Sequence, residues 1–124
     1  MPFILVAEDS TLSRKMIVRA LVSHGFEVIQ ARDGKEALKI FIERETELTC
    51  LVSDNLMPEM SGVELLAEVR KRTSEFPVIM ASADIQKTTR AECDRLGISA
   101  FLNKPVQPED LIAAVKDALS LPVC

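Results

Sequence analysis

Phe3-Ile4-Leu5-Val6-Ala7 is an unbroken apolar run that ends on two acids, Glu8-Asp9. The same arrangement returns further along the chain. Cys50-Leu51-Val52-Ser53 ends at Asp54, Val78-Ile79-Met80-Ala81 at Ser82, and Ala100-Phe101-Leu102-Asn103 at Lys104-Pro105. A continuous apolar run bounded by polar residues reads as a strand buried on both faces, the pattern of a parallel sheet. If these runs are parallel strands of one sheet, every polar station lies at the same edge, where open α/β sheets bind ligands.

Working outward, strands are expected near 3–7, 27–30, 49–53, 77–81 and 99–103. Helices are expected near 11–24, 35–45, 62–72, 86–96 and 108–120. Strict alternation of this kind predicts a five-stranded parallel sheet, doubly wound, with helices on both faces. The punctuation agrees. Gly25 and Gly97 stand where helices need a left-handed C-terminal residue, Ser61 can cap the third helix, and Pro108 can open the last. Asp33-Gly34 predicts a turn before the second helix. Met16, Ile17, Ala20 and Leu21 should form the buried stripe of the first helix. Leu111, Ile112, Ala114, Val115, Ala118 and Leu119 should form that of the last.

The chain has 124 residues, 48% apolar and 27% charged, with a net charge of −4. That describes one domain, residues 1–124, with a real core. Acidic balance gives no reason to expect nucleic acid or an anionic membrane surface as partner. No apolar stretch reaches membrane-spanning length. Met1 leads straight into a strand, as at a natural N-terminus with no signal peptide. Cys50, Cys93 and Cys124 are odd in number and form no C-x-x-C pair, which argues against a disulfide framework or a zinc site and for the cytoplasm.

The chemistry follows from the spacing. Asp9 and Asp54 are 45 residues apart, and Asp54 and Lys104 are 50 apart. Each interval holds two strand-helix units, so the acids and the lysine reach the same end of the sheet. Three carboxylates in one crevice repel one another, and a hard cation with oxygen ligands resolves the conflict. Mg2+ suits such a site, with Mn2+ as the alternative, because it needs few carboxylates and accepts phosphate oxygens. Asp54, the central acid, can then act as a nucleophile toward a phosphoryl group. Lys104 supplies a compact positive charge for phosphoryl oxygens, and Ser82 a hydroxyl donor.

Glu8-Asp9-Ser10, the run from Asp54 to Gly62, Ser82-Ala83 and Lys104-Pro105, in this order and spacing, resemble the response-regulator receiver domain of two-component signalling. The resemblance spans the whole chain. It implies a flavodoxin-like sheet of order 2-1-3-4-5. It implies Asp54 as phosphoacceptor and Mg2+ ligand, with Asp9, the Leu56 carbonyl and, directly or through water, Glu8 as the other ligands. Ser82 and the Ala83 N–H would hold the phosphoryl group, Lys104 would pair with it, and the Lys104-Pro105 bond would be cis. The donor would be a phosphohistidine of a sensor histidine kinase or a histidine phosphotransfer protein. Ser82 and Phe101 would form a switch, read by a downstream protein on the fourth helix, fifth strand and fifth helix. Leu56 and Asp84 would modulate phosphoryl lifetime. The protein would be a monomer or a phosphorylation-dependent dimer.

Several positions depart from the family pattern. Glu8 stands where Asp is usual, Ser82 where Thr is frequent, and Phe101 where Tyr is frequent. Phe101 has no hydroxyl, so any switch there works through ring packing. Leu56 cannot orient a water through its side chain. Two other classes compete with a signalling module. An aspartyl-nucleophile phosphatase of the haloacid-dehalogenase kind wants an acid two residues after the nucleophile, where this chain has Leu56. A degenerate receiver that only binds protein would have no need of Asp9, Asp54, Ser82 and Lys104 together. His24, the only histidine, reads as a helix-terminal residue rather than a phosphohistidine. Val18 and Val22 lie off the buried stripe of the first helix. They are either scattered surface apolarity or a docking patch for a kinase helix pair.

Overall fold

The computed structural model describes residues 2–83 and 87–119. Strands and helices alternate: β1 (Phe3–Ala7), α1 (Thr11–Ser23), β2 (Glu27–Ala31), α2 (Gly34–Arg44), β3 (Cys50–Ser53), α3 (Gly62–Arg72), β4 (Val78–Ser82), α4 (Lys87–Leu96), β5 (Ala100–Asn103) and α5 (Pro108–Ala118). All pairings are parallel and the sheet order is β2-β1-β3-β4-β5. The expected doubly wound α/β fold is therefore present, with boundaries within a residue or two of those read from the sequence.

The two faces of each strand feed separate cores. Ile4, Val6, Val52 and Ile79 pack under α1 and α5 with Ile17, Leu21, Leu111 and Val115. Leu5, Leu51 and Met80 pack under α2, α3 and α4 with Phe41, Leu65, Val69 and Cys93. Both sets are almost wholly buried. Each large side chain so placed contributes roughly 1.5–3 kcal/mol relative to exposure. The central strands are thereby held rigid, and edge strand β5 is only half-buried over Ala100, Phe101 and Leu102.

Helix termini are fixed locally. Ser10 caps α1, and Asp33 caps α2 by accepting from the Glu36 N–H at 2.8 Å. Ser61 and Glu64 form a reciprocal capping box at α3, and Pro108 opens α5. Gly25 and Gly97 take the left-handed conformation expected of them, with φ of 86° and 88°. Gly34 differs from expectation. It is the first residue of α2 rather than a turn glycine, and its role is close approach, because a Cβ there would lie 2.2 Å from the Met60 carbonyl oxygen. From α3, the Arg70 guanidinium donates to the Leu96 and Gly97 carbonyls at the end of α4.

Met16 is a second correction: it is 54% exposed rather than part of the α1 stripe, whose buried members are Ile17, Ala20 and Leu21. It borders an apolar cavity of about 390 Å³ between α1 and the segment that leads into α5. Val18 is half-buried and Val22 exposed. Cys50 is buried in β3, where burial pushes its thiol up to about 12 and leaves it unreactive. Cys93 is buried in α4, and Cys124 lies outside the described residues.

Candidate functional site

Backbone hydrogen bonds bring the polar stations onto one edge. Strand register sets Ala7 of β1 beside Ser53 of β3, so Asp54 emerges next to Glu8. The Asp54 N–H donates to the Ala7 carbonyl at 2.9 Å. In the same way the Lys104 N–H donates to the Ser82 carbonyl at 3.0 Å. The ladder thus continues one residue past each strand and fixes where these side chains begin.

Glu8 and Asp54 are buried, at 1% and 7% exposure, while Asp9 is exposed. One oxygen from each of the three lies within 4.8 Å of the others. Lys104 reaches into this cluster from the β5–α5 connection. Its ammonium donates to Glu8 Oε1 and, at 3.2 Å, to Asp54 Oδ2. The second oxygen of Glu8 accepts from the Ser10 N–H at 3.1 Å, and that of Asp54 from the Asn55 N–H at 2.7 Å.

The electrostatics follow from this placement. Burial drives the Glu8 carboxyl above its ordinary value, Lys104 and the Ser10 N–H oppose the shift, and the negative charge of Asp54 adds to it. Burial alone would lower Lys104. The hydrogen bond it donates to Glu8 and the charges of Asp54 and Glu8 outweigh it, so the ammonium is held above its ordinary value. With all three acids ionised and Lys104 charged, the cluster carries two net negative charges. An all-oxygen donor set of that charge fits a hard divalent cation.

The remaining sequence candidates fall around this centre. Ser82 is fully buried at the end of β4 and pairs in register with Asn103 of β5. Phe101 lies two residues before Asn103, so Ser82 and Phe101 are diagonal neighbours on one face of the sheet. Ala83 and Leu56 are exposed at the rim. The Lys104-Pro105 bond is cis. Asp84 lies outside the described residues.

Two contributors escaped the sequence reading. Asn55 is buried beside Asp54, and its side-chain oxygen accepts from the Val63 N–H at 3.0 Å. Its carbonyl accepts from the Gly62 N–H at 2.9 Å, which closes the loop behind the acid. Gly62 is required there, because a Cβ would lie 2.2 Å from the Asp54 carbonyl oxygen. Arg14 of α1 donates to the Glu8 carbonyl at 2.8 Å and to Gln30 at 3.2 Å, bracing the turn that carries Glu8 and Asp9. The only sequence signals were a polar residue directly after Asp54 and a basic one a helical turn beyond Ser10.

A parallel sheet of this order, with polar groups gathered at the carboxyl ends of its strands, defines the flavodoxin-like class of doubly wound domains. The chain belongs to the response regulator receiver domain family, whose profile matches residues 4–116. It is 37% identical over 112 residues to the two-component response regulator ORR5 of Oryza sativa subsp. japonica, covering 89% of this chain and 83% of that protein. It is 31% identical to the peroxide stress-activated histidine kinase mak2 of Schizosaccharomyces pombe, over 96% of this chain but 6% of that protein. Among solved structures, a response regulator receiver domain protein of Clostridium thermocellum superposes with a TM-score of 0.91 at 29% identity, covering 97% of this chain and 95% of that one. A chain from the CheX-CheY-BeF3-Mg complex of Borrelia burgdorferi superposes with a TM-score of 0.89 at 26% identity, covering 94% and 87%. Among the described residues no helix is long and apolar enough to cross a membrane.

Proposed function

We propose that residues 1–124 form a single receiver domain that accepts a phosphoryl group on Asp54. The observation that carries this reading is the setting of Asp54. It is a buried acid at the carboxyl edge of the sheet, with one oxygen on the Asn55 N–H and the other on Lys104, beside Glu8 and Asp9. Glu8, Asp9, Asp54 and the Leu56 carbonyl would hold Mg2+ or Mn2+, which when bound offsets the acid charge and attracts phosphoryl oxygens.

The reaction is a displacement at phosphorus. An Asp54 carboxylate oxygen forms the new P–O bond as the P–N bond of a phosphohistidine breaks, and the electron pair leaves on the imidazole nitrogen, which takes up a proton. The Lys104 ammonium moves its hydrogen bond from Asp54 to an incoming oxygen, and the Ser82 hydroxyl and the Ala83 N–H hold others. The donor is a histidine of a sensor kinase or phosphotransfer protein. Leu12 and Met16 of α1 and Leu56, two residues after Asp54, are exposed and suit an apolar helical partner surface. Ser82 and Phe101 then relay the change to α4, β5 and α5 for a downstream protein. A cytoplasmic location goes with this chemistry, as does a monomer or a phosphorylation-dependent dimer. The chain turns over only its own phosphoryl group, and exposed Leu56 offers no side-chain hydrogen bond to an attacking water. Leu56→Asn is therefore expected to shorten the phosphoryl half-life, and an unchanged half-life removes that role.

Intact mass after incubation with acetyl phosphate, with and without Mg2+, tests the reading. The expected result is a Mg2+-dependent, base-labile phosphoryl adduct that Asp54→Ala lacks. No adduct in the wild type would leave a receiver that only binds protein.

A further inference from the structure

The guanidinium of Arg90 in α4 lies over the Phe101 ring of β5, 5.0 Å from its centroid. The ring is half-buried. Its inner side packs on the core beneath α4, and Arg90 itself is 55% exposed. An Arg over an aromatic face is held by the ring quadrupole as well as by contact. Asp94, one turn further along α4, accepts from Arg90 at 3.4 Å and steadies the same side chain. The ring is thus covered on its solvent side by a cation tethered to a different element.

Phe101 is also the residue whose motion the site would demand. Ser82 and Phe101 share a sheet face as diagonal neighbours, so space vacated by the Ser82 side chain opens on the side where the ring packs. A ring that turns inward must leave Arg90.

We propose that Arg90 is a latch, a positioning residue that holds Phe101 in the resting arrangement and so opposes activation at Asp54. The inference rests on the phosphoacceptor reading and adds to it a residue that does not touch the site. Because the latch stabilises only the resting state, it taxes every ligand that favours the other state, in proportion to the strength of the stack. An exposed cation–π contact corresponds to about a two- to fivefold bias.

Beryllofluoride with Mg2+, a phosphoryl mimic, supplies the probe, and its dissociation constant is read by thermal shift. Arg90→Ala is expected to bind it two- to fivefold more tightly than the wild type, with Arg90→Lys between the two. In a Phe101→Leu background, Arg90→Ala should have no further effect, as a double-mutant cycle requires of one coupled pair. The direction is diagnostic, because loss of a positive charge by itself weakens anion binding. Unchanged or weaker binding by Arg90→Ala overturns the latch, as does an equal gain in the Phe101→Leu background, while normal wild-type binding leaves Asp54 in place as acceptor. If the wild type binds no beryllofluoride, the phosphoacceptor reading falls and takes the latch with it.

Discussion

Lys104 and Glu8 are 96 positions apart in sequence and form a direct ion pair at the base of the acidic cluster. The same ammonium reaches Asp54 at 3.2 Å. The lysine is therefore shared, and its closer partner is the fully buried acid. Glu8 serves as counter-ion to Lys104 as well as lying next to Asp9 and Asp54.

Removing the lysine leaves Glu8 buried without its counter-charge, with only the Ser10 N–H still donating to it. Lys104→Met is expected to lose roughly 3 kcal/mol of stability at neutral pH in the absence of divalent cation, the cost of breaking a buried pair. Adding Mg2+ should recover part of it. Urea unfolding with EDTA and then with Mg2+ measures both, and a variant as stable as the wild type in EDTA would show that the pair contributes nothing.

The titration of Glu8 gives a pH dependence of definite sign. Its carboxyl is raised above the ordinary 4.5, chiefly by burial, so the folded protein keeps a proton that the unfolded chain has released. That stability is present at low pH and is lost as pH climbs from about 4.5 through the folded value. Lys104 is raised too, so its contribution holds below its ordinary 10.5 and disappears at higher pH. The difference in unfolding free energy between wild type and Glu8→Gln, measured in EDTA from pH 4 upward, should change in favour of the variant as pH rises. A pH-independent difference would mean that Glu8 does not titrate there.

Divalent cation should stabilise the fold by linkage. At a concentration one hundred times the dissociation constant, Mg2+ is expected to add about 2.7 kcal/mol. Asp9→Asn should abolish most of that gain and leave stability in EDTA close to wild type, because Asp9 is exposed. Melting temperature against Mg2+ concentration for both proteins is the measurement. An equal rise in the variant would take Asp9 out of the ligand set.

Gly62→Ala tests the wall behind the acid. The new Cβ would lie 2.2 Å from the Asp54 carbonyl oxygen and 2.8 Å from the Asn55 Cα, both backbone atoms that cannot swing aside. A loss of roughly 1–3 kcal/mol is expected, with slower acceptance of phosphoryl from acetyl phosphate. A variant that unfolds and reacts like the wild type would show that the loop yields freely.

The strands were legible because the sheet is buried on both faces, so Phe3–Ala7 and Val78–Ser82 need apolar residues almost throughout. The acids, the serine and the lysine were legible because each follows such a run. What sequence could not show are contacts whose partner is a backbone group or a face on another element. Asn55 acts on Val63 and Gly62, Arg14 on the Glu8 carbonyl, and Arg90 on a ring in β5. Met16 was misplaced for the opposite reason. It adjoins the buried stripe, but it borders the open cavity beside α1 instead of packing into the core.

The two close glycine contacts have a further consequence. The first residue of α3 abuts the Asp54 carbonyl, and the first residue of α2 abuts the Met60 carbonyl. The stretch from Leu56 to Glu59 is therefore moored at both ends by main chain, and Glu59 adopts a left-handed φ of 71° within it. If Asp54 accepts a phosphoryl group as proposed, exchanging the exposed Leu56 or Glu59 side chain is expected to change how long the acid stays modified, while the main chain that locates the acid stays where it is.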